Sequence, residues 1–192
     1  RQITIETWIY ADVLASVPIV EKRGGPSSST VSYALRLNSN GQLQLDSAGV
    51  SGRVWTLRTP FGSIEAGQWY HFAGVIDRDT GEMRAYLDGA LVATSSVSQT
   101  DTVLHTGPLL IGKTLQNGVP SFEGRLDELR IWSTARTETQ IQTDKDSVLN
   151  ESEAGLEGYW RFEEGSGTTV QDLTPNGHTG SWQGPISIAD TS

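Results

Sequence analysis

The chain has 192 residues, a formal net charge of −9 and no cysteine. Such a charge argues against nucleic acid, whose phosphates need clustered Lys and Arg, and the lack of thiols excludes disulfides and thiolate metal sites. The hydrophobic fraction is 36%, and no apolar run approaches the length that spans a bilayer, so membrane insertion is not expected and a sheet protein with wet outer faces is.

The first run alternates Ile3, Ile5, Thr7 and Ile9 against Thr4, Glu6, Trp8 and Tyr10, the two-residue period of a half-buried strand. Because it starts without Met inside a strand, the chain is read as a piece of a longer protein. Pro18–Arg23 forms the second predicted strand, followed by the Gly- and Ser-rich residues 24–30. Val31–Asn38 and Gln42–Asp46 flank Asn40-Gly41, a strong hairpin signal, and Arg53–Arg58 is the next strand.

Residues 69–89 are the most legible stretch. Trp69, His71, Ala73 and Val75 alternate with Tyr70, Phe72, Gly74 and Ile76, and Asp77 to Gly81 supply a turn. Met83–Leu87 returns, and Asp88-Gly89 leads into Ala90–Val97. After a polar loop at Ser98–Gly107 come a short strand at Pro108–Gly112, a second loop at Thr114–Ser121 and a long strand at Phe122–Trp132. Thr137–Leu149 is the one helical candidate, opened by a capping-box pattern from Thr137 to Gln140 and expected to cap an end of the fold. Strands resume at Gly158–Glu163, with brief ones near Thr169–Leu173 and Thr179–Trp182. Short strands with turns between them, unbroken by a linker, predict one all-β domain over residues 1–192, folded as a two-sheet antiparallel sandwich.

The runs TIETWIY, GQWYHFAGVID, MRAYLDG, LLIG, FEGRLDELRIWSTARTETQI and GLEGYWRFEEGSGTTVQDLTPNGHTG together resemble the LamG-like jelly roll of the concanavalin A-like lectin/glucanase superfamily, pentraxins included. The resemblance covers most of the chain in the family's strand order. It implies a jelly-roll sandwich of two curved sheets, often with a structural calcium, in modules of exported proteins that bind glycans or act in adhesion. Two places depart from that pattern. The run beginning at Trp160 often opens such a domain but here closes the chain. It is expected to fold back beside Ile3–Tyr10, the alternative being the start of a following repeat. The loop Lys113–Asn117 carries no carboxylate where pentraxins have an acidic insertion.

No catalytic constellation stands out. Glucanases of the superfamily use Glu-x-Asp-x-x-Glu on one strand face, which is absent; Asp127-Glu128 and Glu163-Glu164 are adjacent pairs that should point to opposite faces. No enzyme activity is expected. His71, His105 and His178 show no metal-ligand spacing and read as packed or solvated side chains.

Calcium is the expected inorganic ligand, through Asp172 and Asn176 in the loop DLTPNG and Asp127 on the long strand. Asp127 should share a face with Leu129 and Ile131, where a buried carboxylate would need a cation or backbone N–H groups. An Asx-turn at Asp172 and a backbone cap at Asp127 explain the same residues equally well. For carbohydrate, the candidates are Trp55, Tyr33, Arg36 and Arg53, expected to line one sheet, with Trp182 in the tail. Core packing is the competing reading for Trp55, and Trp69, Trp132 and Trp160 are assigned to the core. Asn150-Glu151-Ser152 is a glycosylation sequon if the source glycosylates.

The expected function is a non-catalytic binding module on an exported, cell-surface or secreted protein. Its partners would be a glycan or an extracellular protein, together with other domains of its parent chain. A calcium-stiffened spacer and a substrate-binding module appended to a polysaccharide-degrading enzyme are the alternatives.

Overall fold

A computed structural model of the chain describes residues 1–25, 31–101 and 107–182. Most of the Gly/Ser-rich loop 24–30, the part of the Ser98–Gly107 loop that holds His105, and residues 183–192 lie outside the described residues.

The strands are β1 (Gln2–Ala11), β2 (Val17–Arg23), β3 (Val31–Leu37), β4 (Leu43–Ala48), β5 (Val54–Arg58), β6 (Trp69–Asp77), β7 (Glu82–Leu87), β8 (Ala90–Ser96), β9 (Leu109–Ile111), β10 (Gly124–Trp132), β11 (Leu156–Trp160), β12 (Thr169–Val170) and β13 (Gly180–Ser181), with one helix, α1 (Glu138–Asp144). They form a six-stranded sheet in the order β11-β10-β1-β6-β7-β8, a five-stranded sheet in the order β5-β4-β3-β2-β9, and a β12-β13 ribbon. All pairings are antiparallel, the arrangement of a jelly-roll sandwich.

The main core lies between the two sheets. Ile5, Ile9, Phe72, Ile76 and Met83 face Leu35, Leu37, Leu43, Leu45 and Val20 there, and Trp160 and Val170 extend the cluster into the tail. Turn chemistry fixes the register. At the β3–β4 hairpin Gly41 has φ of 73°, and a Cβ there would meet the Ile64 carbonyl oxygen at 2.5 Å, so no larger residue fits.

Three placements differ from the sequence-based expectation. The segment carrying α1 does not cap an end of the sandwich. It lies as a strap across the outer face of the six-stranded sheet, where Ile141 packs with Ala73, Val75 and Tyr86, and Trp132 clusters with Leu156 and Tyr159. Polar ties hold the strap down: Thr4 Oγ1 donates to the Thr134 carbonyl, Trp8 Nε1 to that of Lys145, and Arg130 to those of Asp144 and Ser147. Amphipathicity alone shows that a helix buries a face, not which surface receives it. α1 is also shorter than expected, and its capping box between Thr137 and Gln140 is present.

Second, the closing segment joins the six-stranded sheet beside β10 rather than beside β1, whose two neighbours are β10 and β6. Third, β10 is bulged. Trp8 lies opposite Asp127 and Glu6 opposite Arg130, so two residues on β10 stand where β1 has one, and Glu128 adopts φ of 51°. The extra residue reverses the alternation. Asp127 therefore sits on the outer face with Trp8, not on the core face with Leu129 and Ile131.

Candidate functional site

The outer face of the five-stranded sheet carries a continuous polar network. The Glu21 carboxylate accepts from Arg23 Nη2 at 2.8 Å and also from Arg36 and Thr114. Burial favours the neutral acid, yet the bonds from Arg23 and Thr114 and the charge of Arg36 hold Glu21 below the usual carboxylate range. Asp46 accepts from Arg36 Nε, from Gln44 Nε2 at 2.9 and 2.8 Å, and from Thr56 Oγ1 at 2.7 Å. Both carboxylates are engaged on both oxygens by protein donors. The network ties β2, β3, β4 and β5 together.

This arrangement divides the four residues predicted for carbohydrate. Arg36 belongs to the outer network. Tyr33 points the other way, packing with the main core, and also lines the cleft described below. Trp55 packs against the edge of that core, with the Arg78 guanidinium 4.9 Å from its ring centroid and that of Arg53 at 5.6 Å. Arg78 is buried and donates to Ser47 Oγ and the carbonyls of Ala48 and Ser98, so Trp55 helps to seat a structural arginine. The four do not share a face.

The three residues predicted for calcium do not converge either. Asp172 is buried, and Oδ1 accepts the backbone N–H groups of Tyr159 and Thr174 while Oδ2 accepts the His178 N–H and the Thr174 hydroxyl, all at 2.8–3.0 Å. The Asn176 amide donates to the Glu157 carbonyl. Asp127, on a different strand, accepts the Glu128 N–H at 2.8 Å. A carboxylate ringed by amide donors has its lone pairs committed, and no group of three or more acids or histidines among the described residues could hold a metal. The donor set does not fit a calcium ion.

A different region has room and unspent chemistry. A cleft of about 1550 Å³ opens where the β9 edge of one sheet and the β10–β11 edge of the other draw apart. Its apolar wall includes Leu109, Ile111 and Phe122, and its rim displays Trp69, Trp182, Arg125, Asp127, Arg161 and Glu163. Trp69 is 37% exposed and Trp182 38%. For Trp69 this corrects the assignment to the core: its face of β6 is covered by the strap from His71 onward, but the strap ends short of Trp69 itself. Nothing in the alternation of β6 distinguishes Trp69 from the buried His71 and Ala73.

The rim is pre-organised. The Tyr10 and Trp69 rings lie 5.5 Å apart in a tilted pair, and Arg125 stacks over Tyr10 at 4.8 Å. Glu128 anchors the other side, accepting from Arg161 Nε at 2.9 Å, Arg130 Nη2 at 2.6 Å and the Tyr159 hydroxyl. These bonds outweigh burial and hold Glu128 below the usual carboxylate range, whereas burial raises Asp127. Arg161 also donates to Glu163 at 2.6 Å. The result is two indoles beside fixed guanidinium and carboxylate groups, a surface suited to a ligand with an apolar face and many hydroxyls.

The same fold occurs in solved carbohydrate-binding structures. A Bacteroides ovatus protein described as a candidate carbohydrate-binding protein superposes with a TM-score of 0.72 at 23% identity, over 97% of this chain and 55% of that one. This chain thus spans about half of that protein's length. The CBM40 domain of a Ruminococcus gnavus sialidase, solved with α2,3-sialyllactose, gives a TM-score of 0.60 at 14% identity, over 74% of this chain and 81% of that one. Domain 4 of an extracellular arabinanase from Geobacillus stearothermophilus, solved with arabinotriose, gives 0.56 at 23% identity, over 74% and 65% of the two chains. At these identities the likeness speaks for the fold. At the level of sequence, residues 1–142 match the family model of the concanavalin A-like lectin/glucanases superfamily, and the chain belongs to that superfamily.

Proposed function

We propose that this chain is a non-catalytic carbohydrate-binding module of an exported protein, and that it holds its glycan in the cleft between the open sheet edges. The observation that carries the reading is the pair of part-exposed indoles, Trp69 and Trp182, on the rim of one cleft with Arg125, Asp127 and Arg161. Pyranose and furanose rings offer C–H faces to aromatic planes and hydroxyls to charged side chains, which are the two kinds of group this rim supplies. The sugar-bearing neighbours support the reading, and the extracellular arabinanase among them supports export.

The engagement of Glu128 by neighbouring side chains supports binding rather than hydrolysis. Glu128, beside Asp127, is pinned by two guanidinium groups and a phenol that hold it below the usual carboxylate range, so its oxygens are committed to the protein rather than turned to a glycosidic bond.

A glycan array probed with the purified protein, with and without chelator, tests the proposal. Binding to one glycan class that persists in chelator and weakens in Trp69→Ala and Trp182→Ala is the expected result. Absence of binding in both conditions would overturn it and favour a spacer between domains.

A further inference from the structure

The cleft is not the only hollow that Trp69 and Asp127 border. On the outer face of the six-stranded sheet a second hollow of about 430 Å³ lies between these two residues, Trp8, and the strap residues Lys145 to Val148. The cleft and this outer hollow are therefore adjacent, with one indole and one carboxylate common to both.

The strand pairing shows how they connect. β11 pairs with β10 only from Leu129 to Trp132. Along Gly124–Glu128, β10 has β1 on one side and, among the described residues, no strand on the other. The rim of the sheet is notched there, and the outward-directed backbone groups of that stretch face the gap. The bulge at Glu128 turns Asp127 out of the core and onto the notch. A ligand leaving the cleft meets the unpaired stretch of the β10 edge, then Asp127 and Trp69, and then the Trp8 hollow.

We infer that the ligand is a glycan chain bound along its length, running from the cleft over the β10 notch onto the outer face, and not a terminal mono- or disaccharide. This rests on the carbohydrate reading of the cleft. Size supports it: pockets for single small ligands span roughly 300–1,000 Å³. The outer hollow falls within that range by itself, and the cleft exceeds it. Val148, 64% exposed at the far side of the outer hollow, offers an apolar surface to the chain's leading unit.

Calorimetric titration with arabino-, xylo- and cello-oligosaccharide ladders from the monomer to the octamer tests this on the intact chain. For a ladder that binds, affinity should rise at least about tenfold between the dimer and the hexamer. Val148→Trp, which fills the outer hollow from an exposed position, should flatten that rise. Affinity that levels off at the disaccharide, or a slope unchanged by Val148→Trp, overturns the extended track while leaving carbohydrate binding intact. Failure of all three ladders, together with a blank glycan array, overturns the carbohydrate reading and the track with it.

Discussion

Arg136 Nε lies 3.2 Å from Oε1 of Glu6, and both side chains are shut away from water between the six-stranded sheet and the strap. Neither Glu6 oxygen makes a well-aligned hydrogen bond. Burial pushes the Glu6 carboxyl up to about 7, against the pull of Arg136 and Arg130. With a folded pKa above the ordinary 4.5, the native state binds more protons than the unfolded chain between these values. Stability from this group is complete below the lower value and is lost as pH rises through the upper one, by about 3 kcal/mol. His71, 3.9 Å from Glu6, works in the opposite sense: burial drags its imidazole down to about 3, so its contribution is lost on acidification below 6.5. The expected outcome is that Glu6→Gln gains on the wild type, in urea unfolding free energy, as pH rises from about 5 to about 8. A gap between the two proteins that stays constant with pH would mean that the two arginines keep Glu6 ionised throughout.

Trp55 separates a stability role from a binding one. Its ring covers the core edge and seats Arg78, away from the cleft rim. Trp55→Ala is expected to destabilise the protein by roughly 2–3 kcal/mol, less than the about 3–5 kcal/mol of a fully buried aromatic because the site is half-buried. Glycan affinity measured well below the melting temperature should not change. A loss of affinity in a variant that remains folded would return Trp55 to the ligand surface.

Strand positions were legible because each pairs a two-residue hydrophobic period with turn residues of known preference. Asn40-Gly41 and Asp88-Gly89 marked their hairpins, and both glycines have positive φ. The candidate site was less legible for three physical reasons. Trp69, His71 and Ala73 share one face of β6, and only the strap, a tertiary feature, decides which of them is covered. Strict alternation puts Asp127 on one face with Leu129 and Ile131, and a bulge at a non-glycine residue has no local signature strong enough to reveal the reversal. Arg36 and Tyr33 lie three residues apart on one strand and so face opposite sides, a parity that overrules chemical suitability in grouping them. The Asx-turn at Asp172 was legible as one of two open readings, and the structure shows its four hydrogen bonds.

Those bonds lead to a prediction about metal. Asp172 gathers the ends of β11 and the loop before β13 by accepting amides, with no lone pair directed at open space. The melting temperature should therefore be the same, within about 1 °C, in excess calcium and in chelator. Asp172→Ala should cost about 3 kcal/mol in either medium, since it leaves buried amides of Tyr159 and Thr174 without partners. Stabilisation by calcium that disappears in Asp172→Ala would show that the loop rearranges to take the ion.

Trp69 provides the most direct test of the rim. Its indole is part-exposed and leans on Tyr10, and its backbone remains within β6, so truncation removes surface rather than core. Trp69→Ala should therefore cost less than about 1 kcal/mol of stability, within the spread usual for surface changes. Trp132→Ala offers the contrast. That ring is buried beneath Arg136, whose guanidinium lies 3.9 Å from its centroid, and its loss should cost about 3 kcal/mol or more. In calorimetric titration with the best array glycan, Trp69→Ala should lose at least about tenfold in affinity, equivalent to about 1.4 kcal/mol of stacking. Trp69→Phe should recover part of that loss, because a smaller ring still offers a flat apolar face in the same place. Wild-type affinity in Trp69→Ala would remove the indole from the binding surface and move the site deeper into the cleft, towards Leu109, Ile111 and Phe122.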